Sequence, residues 1–229
     1  MTMQILGYGE DAFTLWILKH NPQHVLRELG DPSDPSQCLA FFRPSFGRSS
    51  KGKCMFGEFD CILASSSKIY LIESKWDHAK NGRKKTVKLD LEQIERHRRF
   101  SWYLSHWDIK HRGNWDAFRE DVADSFRHDF PACKLVPTKS LCRKNLELAL
   151  ARLHEHQADP VAFQNPVHVL LYFYGTRRKG IEGVTDTDDL EFHPVNFDYS
   201  TFVTGTFIDL TKPTGPVAVG IAQTSPADQ

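Results

Sequence analysis

Hydrophobic residues recur at helical spacing in several parts of the chain. Phe13, Trp16 and Ile17 lie on one face of a predicted amphipathic helix over Tyr8–His20. Further helices are predicted over Leu89–Leu104, Trp115–Asp129 and Lys144–Gln157. Asn114 is the N-cap candidate for the helix that begins at Trp115.

Runs rich in β-branched and aromatic residues, bounded by Gly, Pro or Ser, indicate strands. Three successive runs predict a meander over Cys38–Ser45, Met55–Ala64 and Lys68–Trp76. Val167–Tyr174 is apolar almost throughout, which is typical of a strand buried on both faces. The region around Ile208 is another strand candidate.

The order of these elements is helix, three-strand meander, helices, strand. This order predicts an α/β fold with a central mixed β-sheet flanked by helices. The 229 residues suit one domain over residues 1–210, with a core at about 8–175 and a β/acidic extension at 181–210. Residues 211–229 are poor in large apolar side chains and are expected to be a flexible tail.

Charge is balanced overall, with 29 Lys and Arg against 29 Asp and Glu, but it is unevenly distributed. From Arg43 to Arg112, 16 basic and 8 acidic residues give a balance of +8; from Ile181 to Gln229, 1 basic and 8 acidic residues give −7. Since charges act over a Debye length of roughly 8 to 10 Å, a neutral total does not exclude a nucleic-acid partner.

Several classes of protein are not expected from the sequence. No apolar run approaches the roughly 20 residues of a membrane-spanning helix, and no signal peptide is visible, so the protein is expected to be cytoplasmic. Five cysteines without a CxxC pair are expected to be reduced thiols. The sequence contains no phosphate-binding loop, HExxH or GxSxG motif.

Charged residues interrupt the apolar pattern at the end of the third strand of the meander. Glu73 and Lys75 share one face of this strand, roughly 7 Å apart at the backbone. Asp60 precedes Glu73 with 12 residues between them, and a hairpin turning at Ser65–Ser67 brings the two carboxylates together. Two carboxylates and waters bind a hard divalent cation, and a lysine beside them orients a water for attack on phosphorus. The alternative is an ordinary strand with solvated charges.

This arrangement resembles the D–(E/D)xK core of the PD-(D/E)XK nuclease superfamily, whose fold is called restriction-endonuclease-like. Asp60 and Glu73-Ser74-Lys75 carry the resemblance, and the element order from Tyr8 to Gly175 extends it. Phe59 stands where the motif has its Pro. The resemblance implies a metal-dependent deoxyribonuclease, of restriction or DNA-repair type, that hydrolyses DNA as an endonuclease.

The resemblance also implies a role for each motif residue. Asp60 and Glu73 would bind Mg²⁺, for which Mn²⁺ would substitute, and the backbone carbonyl of Ser74 would add a ligand. Lys75 would orient or activate the attacking water. Glu58 could be a further ligand, but a salt bridge to the nearby basic loop is the stronger expectation.

Two further residues match positions that some members of the superfamily use. Glu10 corresponds to an acid that completes the metal shell, although an acid in a first helical turn is also favoured by the helix dipole alone. Gln93 matches a glutamine that other members carry four residues before a tyrosine, but His97 stands at the second position here.

Basic residues flank the motif and are expected to contact DNA phosphates. They lie in a Gly- and Ser-rich loop before the motif and in the segment and helix that follow it. The candidates are Arg48, Lys51, Lys53, Arg83, Lys84, Lys85, Arg96 and Arg99. A homodimer is a further expectation from the resemblance, because a two-fold protein matches a symmetric DNA site. RNA as substrate, or a nucleic-acid-binding module without catalysis, remain alternatives.

Overall fold

The computed structural model describes residues 3–47, 57–77, 85–157, 159–175, 179–185, 187, 189–199 and 207–211. The helices in these ranges are α1 (Gly9–His20), α2 (Pro22–Glu28), α3 (Leu91–His106), α4 (Trp115–Asp129), α5 (Leu141–His156) and α6 (Val161–Gln164). The strands are β1 (Leu6–Tyr8), β2 (Leu39–Phe42), β3 (Cys61–Ala64), β4 (Ile69–Trp76), β5 (Thr86–Lys88), β6 (Val167–Tyr174), β7 (Gly183–Thr185), β8 (Phe192–Asp198) and β9 (Phe207–Asp209).

Five strands form the central sheet in the order β2-β3-β4-β6-β8. The first three are antiparallel neighbours, as expected for a meander, and β6 and β8 continue the sheet parallel to β4. The connection from β4 to β6 contains α3 to α6, which is the long crossover that parallel neighbours require. A mixed sheet flanked by helices is therefore confirmed.

Side chains alternate across the sheet and divide the core into two main layers. On β3, Ile62 and Ala64 belong to the layer that contains α3, α4 and α5. Cys61 and Leu63 belong to the opposite layer, which contains α1 and α2. Each of these four side chains is at most 1% exposed. Strand β3 is thus packed between helices on both faces of the sheet.

Two small sheets lie beside the central one. β1 pairs antiparallel with β9, which joins the first described strand to the last, with Tyr8 opposite Phe207. β5 pairs parallel with β7, so the chain after β4 lies beside the acidic extension. The strand predicted around Ile208 is confirmed as β9.

The structure corrects several predicted bounds. The second strand begins at Cys61 instead of Met55, and the first ends at Phe42 instead of Ser45. α2 was not predicted, because Pro22 reads as a helix stop although proline suits a first helical turn. The predicted tail, apart from Thr211, lies outside the described residues.

The expectation of reduced thiols is met only in part. Cys38, Cys61 and Cys142 are free, whereas Cys133 is disulfide-bonded. Among the helices in the described ranges, none combines the length and the apolar composition needed to cross a bilayer.

Candidate functional site

Strand pairing places Asp60 beside Glu73. In the β3–β4 ladder Cys61 lies opposite Ile72, so Asp60 and Glu73 occupy the next position at the end of the pairing. The carboxylate of Asp60 accepts a hydrogen bond from the backbone N–H of Ser74 at 2.7 Å. The predicted approach of the two carboxylates is therefore present in the structure.

Glu10, in the first turn of α1, joins them at the carboxyl end of β4. Its Oε2 accepts a hydrogen bond from the backbone N–H of Trp76 at 3.0 Å, and its Oε1 lies 3.9 Å from the Lys75 ammonium. The hydroxyls of Thr14 and Ser74, 2.7 Å apart, link the same helix to the same strand. Glu10 is thus held at the site and is not a freely solvated helix-terminal acid. We refer to Glu10, Asp60 and Glu73 as the carboxylate cluster.

Helix α3 supplies three side chains to the Glu73 carboxylate. Gln93 donates to Oε2 at 2.7 Å, Arg96 donates to Oε1 at 2.6 Å, and His97 Nε2 lies 3.4 Å from Oε1. These positions share one face of a helix, since they are three and four residues apart. The amide oxygen of Gln93 also accepts from the backbone N–H of Asp90 at 3.1 Å, so both ends of the amide are fixed. The predicted contact of Gln93 with the motif is present.

Burial weakens the acidity of the whole carboxylate cluster. It raises the pKa of Glu10 to about 7, although the Lys75 ammonium opposes this change. Burial and then the neighbouring Glu73 raise the pKa of Asp60 to about 6. Burial also raises the pKa of Glu73, against the effect of the Arg96 guanidinium. A cation at this position would relieve both the repulsion and the loss of hydration.

The oxygen donors of the cluster fit a hard divalent cation by their chemistry. Each carboxylate offers about four lone-pair positions, so the hydrogen bonds described above do not exhaust them. The distances among these three carboxylates are not those of a closed metal site. In the described part of the chain, no three His, Cys, Asp or Glu side chains form a group that could hold an ion. In this arrangement Arg96 supplies the positive charge nearest to Glu73.

The basic residues predicted to contact DNA differ in their exposure, in their partners and in whether the structure describes them. Lys85 is exposed but pairs with Glu182 at 2.9 Å. Arg96 faces Glu73, and Arg99 is 6% exposed, with its Nε donating to the carbonyl of Glu95. The remaining candidates lie outside the described residues: Arg48, Lys51, Lys53, Arg83 and Lys84. Phosphate contact by Arg96 or Arg99 therefore has no support in this arrangement.

Arg43, a basic residue that precedes the motif, and Asp11, which was not expected at the site, are further neighbours of the cluster. Arg43 donates to Glu58 Oε1 at 2.9 Å and also contacts the carboxylate of Asp11. Its backbone N–H donates to the carbonyl of Asp60 at 3.1 Å, and its φ of +49° is in the left-handed region. The expected salt bridge of Glu58 to a basic residue is confirmed.

His97, which lies beside Glu73, also contacts a second histidine, which the sequence pattern did not indicate as part of the site. Its Nδ1 lies 2.8 Å from Nδ1 of His168 on β6. Burial and the neighbouring His97 lower the pKa of His168 to about 3, and burial holds the pKa of His97 well below its usual value. The available signal was a lone histidine within the apolar run Val167–Tyr174.

Comparisons of the chain with protein-family models, with curated proteins and with solved structures find no match. The site is therefore interpreted from its own geometry and chemistry.

Proposed function

We propose that this chain is a magnesium-dependent deoxyribonuclease that hydrolyses phosphodiester bonds within DNA. The observation that carries the proposal is the meeting of Asp60 with Glu73-Ser74-Lys75 at adjacent strand ends, with Glu10 joining from α1. The order of meander, crossover helices and parallel strand around this point resembles the nuclease core described above, which supports the same proposal.

In the proposed reaction, Asp60 and Glu73 would hold the divalent cation, and Glu10 and the Ser74 carbonyl would complete its shell. When bound there, the cation would supply polarisation of a phosphodiester oxygen and a lowered pKa for a coordinated water. Gln93 fixes the direction of the Glu73 carboxylate through its hydrogen bond at 2.7 Å.

Lys75 is proposed to position the attacking water and to stabilise negative charge that develops on the phosphate. Its side chain is 25% exposed, so it can reach substrate while remaining close to Glu10. The attacking water would release one proton to solvent as its oxygen bonds to phosphorus, the bond to one ester oxygen would break, and the departing oxygen would take up a proton.

The proposal is tested by cleavage of supercoiled plasmid, single-stranded DNA and RNA in Mg²⁺, Mn²⁺ or EDTA. We expect cleavage of DNA that requires the metal. Glu73→Gln and Lys75→Met should each reduce the rate by about 100-fold or more, because each removes a group that acts on the transition state. Lys110→Met is the matched control for loss of a lysine and should cleave at the wild-type rate. Full activity of Glu73→Gln or Lys75→Met would refute the site.

A nucleic-acid-binding module without catalysis is the second candidate function. The ion pair of Arg96 with Glu73 favours it, because Arg96 already offsets the charge that a metal would otherwise balance. Binding of DNA without cleavage in either Mg²⁺ or Mn²⁺ would select this second function over the first.

A further inference from the structure

Exposed aromatic rings lie next to the carboxylate cluster. Tyr8 is 58% exposed and Phe207 is 47% exposed, and they face each other across the β1–β9 pair with ring centroids 5.9 Å apart. The rings of Tyr8 and Trp76 are nearly perpendicular, at 80°, with centroids 5.3 Å apart. We refer to Tyr8, Trp76 and Phe207 as the aromatic platform.

Trp76, the partly buried ring of the platform, is held in place by neighbouring groups. The indole N–H of Trp76 donates to the hydroxyl of Tyr199 at 2.9 Å, and that hydroxyl donates to Asp77 at 2.7 Å. The backbone N–H of Gly175 donates to the other oxygen of Asp77 at 2.9 Å, and Phe13 packs against Trp76. The Trp76 ring is therefore ordered before a ligand binds.

The platform and the proposed metal site share a part of the backbone. Tyr8 is two residues before Glu10, Trp76 directly follows Lys75, and the backbone N–H of Trp76 donates to Glu10. Glu10 therefore links the platform to Lys75, because its other carboxylate oxygen lies 3.9 Å from the Lys75 ammonium.

The size and chemistry of the platform favour a nucleobase as its occupant. Aromatic side chains stack on bases with little regard to sequence, since every base has a π-face. Met3, Ile5 and Leu6 are also exposed in the same segment, but among these residues only Tyr8 and Phe207 offer π-faces. Bases inside an intact duplex have both faces covered by their neighbours, so the occupant must be unpaired.

We infer that the substrate presents an unpaired nucleotide at the cleavage point, as in single-stranded DNA, a flap or a frayed end, and that Tyr8 and Phe207 stack on its base. This inference rests on the proposed function for its substrate class. Uninterrupted duplex DNA should therefore bind more weakly than DNA that contains an unpaired nucleotide.

Binding in EDTA separates this inference from catalysis, because no cleavage occurs there. The probes are a fluorescently labelled 12-residue oligothymidylate and the matching blunt duplex. Tyr8→Leu and Phe207→Leu keep an apolar side chain but remove the π-face, and each should weaken single-strand binding by about 5- to 100-fold. Duplex binding should change by less than about 2-fold.

Two variants serve as controls. Tyr8→Phe keeps the ring and should bind as the wild type does, which excludes a general loss of structure. Leu6→Ala removes exposed apolar surface on the same strand without removing a ring, and should also bind as the wild type does. Thermal unfolding of every variant checks that the fold is retained, and Phe207→Leu tests the inference if Tyr8→Leu does not fold.

The outcomes distinguish the inference from the proposed function. Selective loss of single-strand binding in the leucine variants supports stacking even if the protein never cleaves DNA. Wild-type protein that cleaves duplex yet binds single strands no better than duplex would retain the proposed function and overturn the inference. Equal weakening by Leu6→Ala would show a general apolar contact instead of stacking and would also overturn the inference.

Discussion

Glu73 shows how a single side chain at this site is determined by groups from several elements. It is 1% exposed, and α3 provides the amide and guanidinium that bind its two oxygens. Strand alternation and hairpin spacing were sufficient to predict that Asp60, Glu73 and Lys75 lie together. The pairing of His97 with His168 was not predictable, because it depends on how α3 packs against β6.

The buried His97–His168 pair should make the protein less stable in mild acid. The folded protein keeps His168 neutral down to about pH 3, whereas the unfolded chain takes up a proton near pH 6.5. The stabilising effect is present above pH 6.5 and is lost as the pH falls toward 3. Between pH 7 and pH 5 His168 should lower the free energy of unfolding by about 2 kcal/mol.

Urea denaturation at pH 7 and pH 5 measures this effect. His168→Asn keeps a side chain that can hydrogen bond to His97 but cannot titrate, so its stability should fall less between the two pH values. An unchanged pH dependence in His168→Asn would show that His168 does not carry the effect.

At the scale of elements, prediction succeeded where periodicity and boundary residues agreed. α4 and β6 have the predicted bounds, Trp115–Asp129 and Val167–Tyr174. β8 was not predicted, because Pro194 within it argues against a strand. The sheet order places β8 at an edge, where a proline is tolerated. Its position depends on tertiary pairing with β6, which local sequence does not encode.

The attachment of α1 to β4 can be measured through the hydroxyls of Thr14 and Ser74. Both residues are fully buried and their oxygens are 2.7 Å apart. Thr14→Val and Ser74→Ala should each cost about 1 to 2 kcal/mol in the free energy of unfolding, since each leaves a buried polar group without this partner. The double variant should cost about 1 kcal/mol less than the sum of the two. Additive losses in urea denaturation would show that the two hydroxyls are not coupled.

At the scale of the whole molecule, the neutral net charge reflects opposed charges that meet in the structure. The acidic extension contacts basic residues that follow the motif: Glu182 pairs with Lys85, and Asp189 pairs with Arg98. These ion pairs occupy cations that would otherwise be available to phosphate.

Removal of one of these acids should therefore strengthen DNA binding. Glu182→Gln leaves Lys85 without its carboxylate partner and should tighten binding by about 2- to 5-fold at 50 mM salt, with the gain disappearing at high salt. Glu155→Gln makes the same change in net charge but affects Arg112 and Arg152 instead. Equal tightening in both variants, measured by fluorescence anisotropy, would indicate a nonspecific effect of net charge.

The proposed nuclease function requires that Asp60 and Glu73 hold a divalent cation. Anomalous diffraction from crystals soaked in Mn²⁺ tests this claim most directly, because it locates the ion without depending on the choice of substrate. We expect an anomalous peak between the carboxylates of Asp60 and Glu73, and no such peak in crystals of Glu73→Gln soaked in the same way. A peak elsewhere in the wild-type protein, or none at this position, would contradict it.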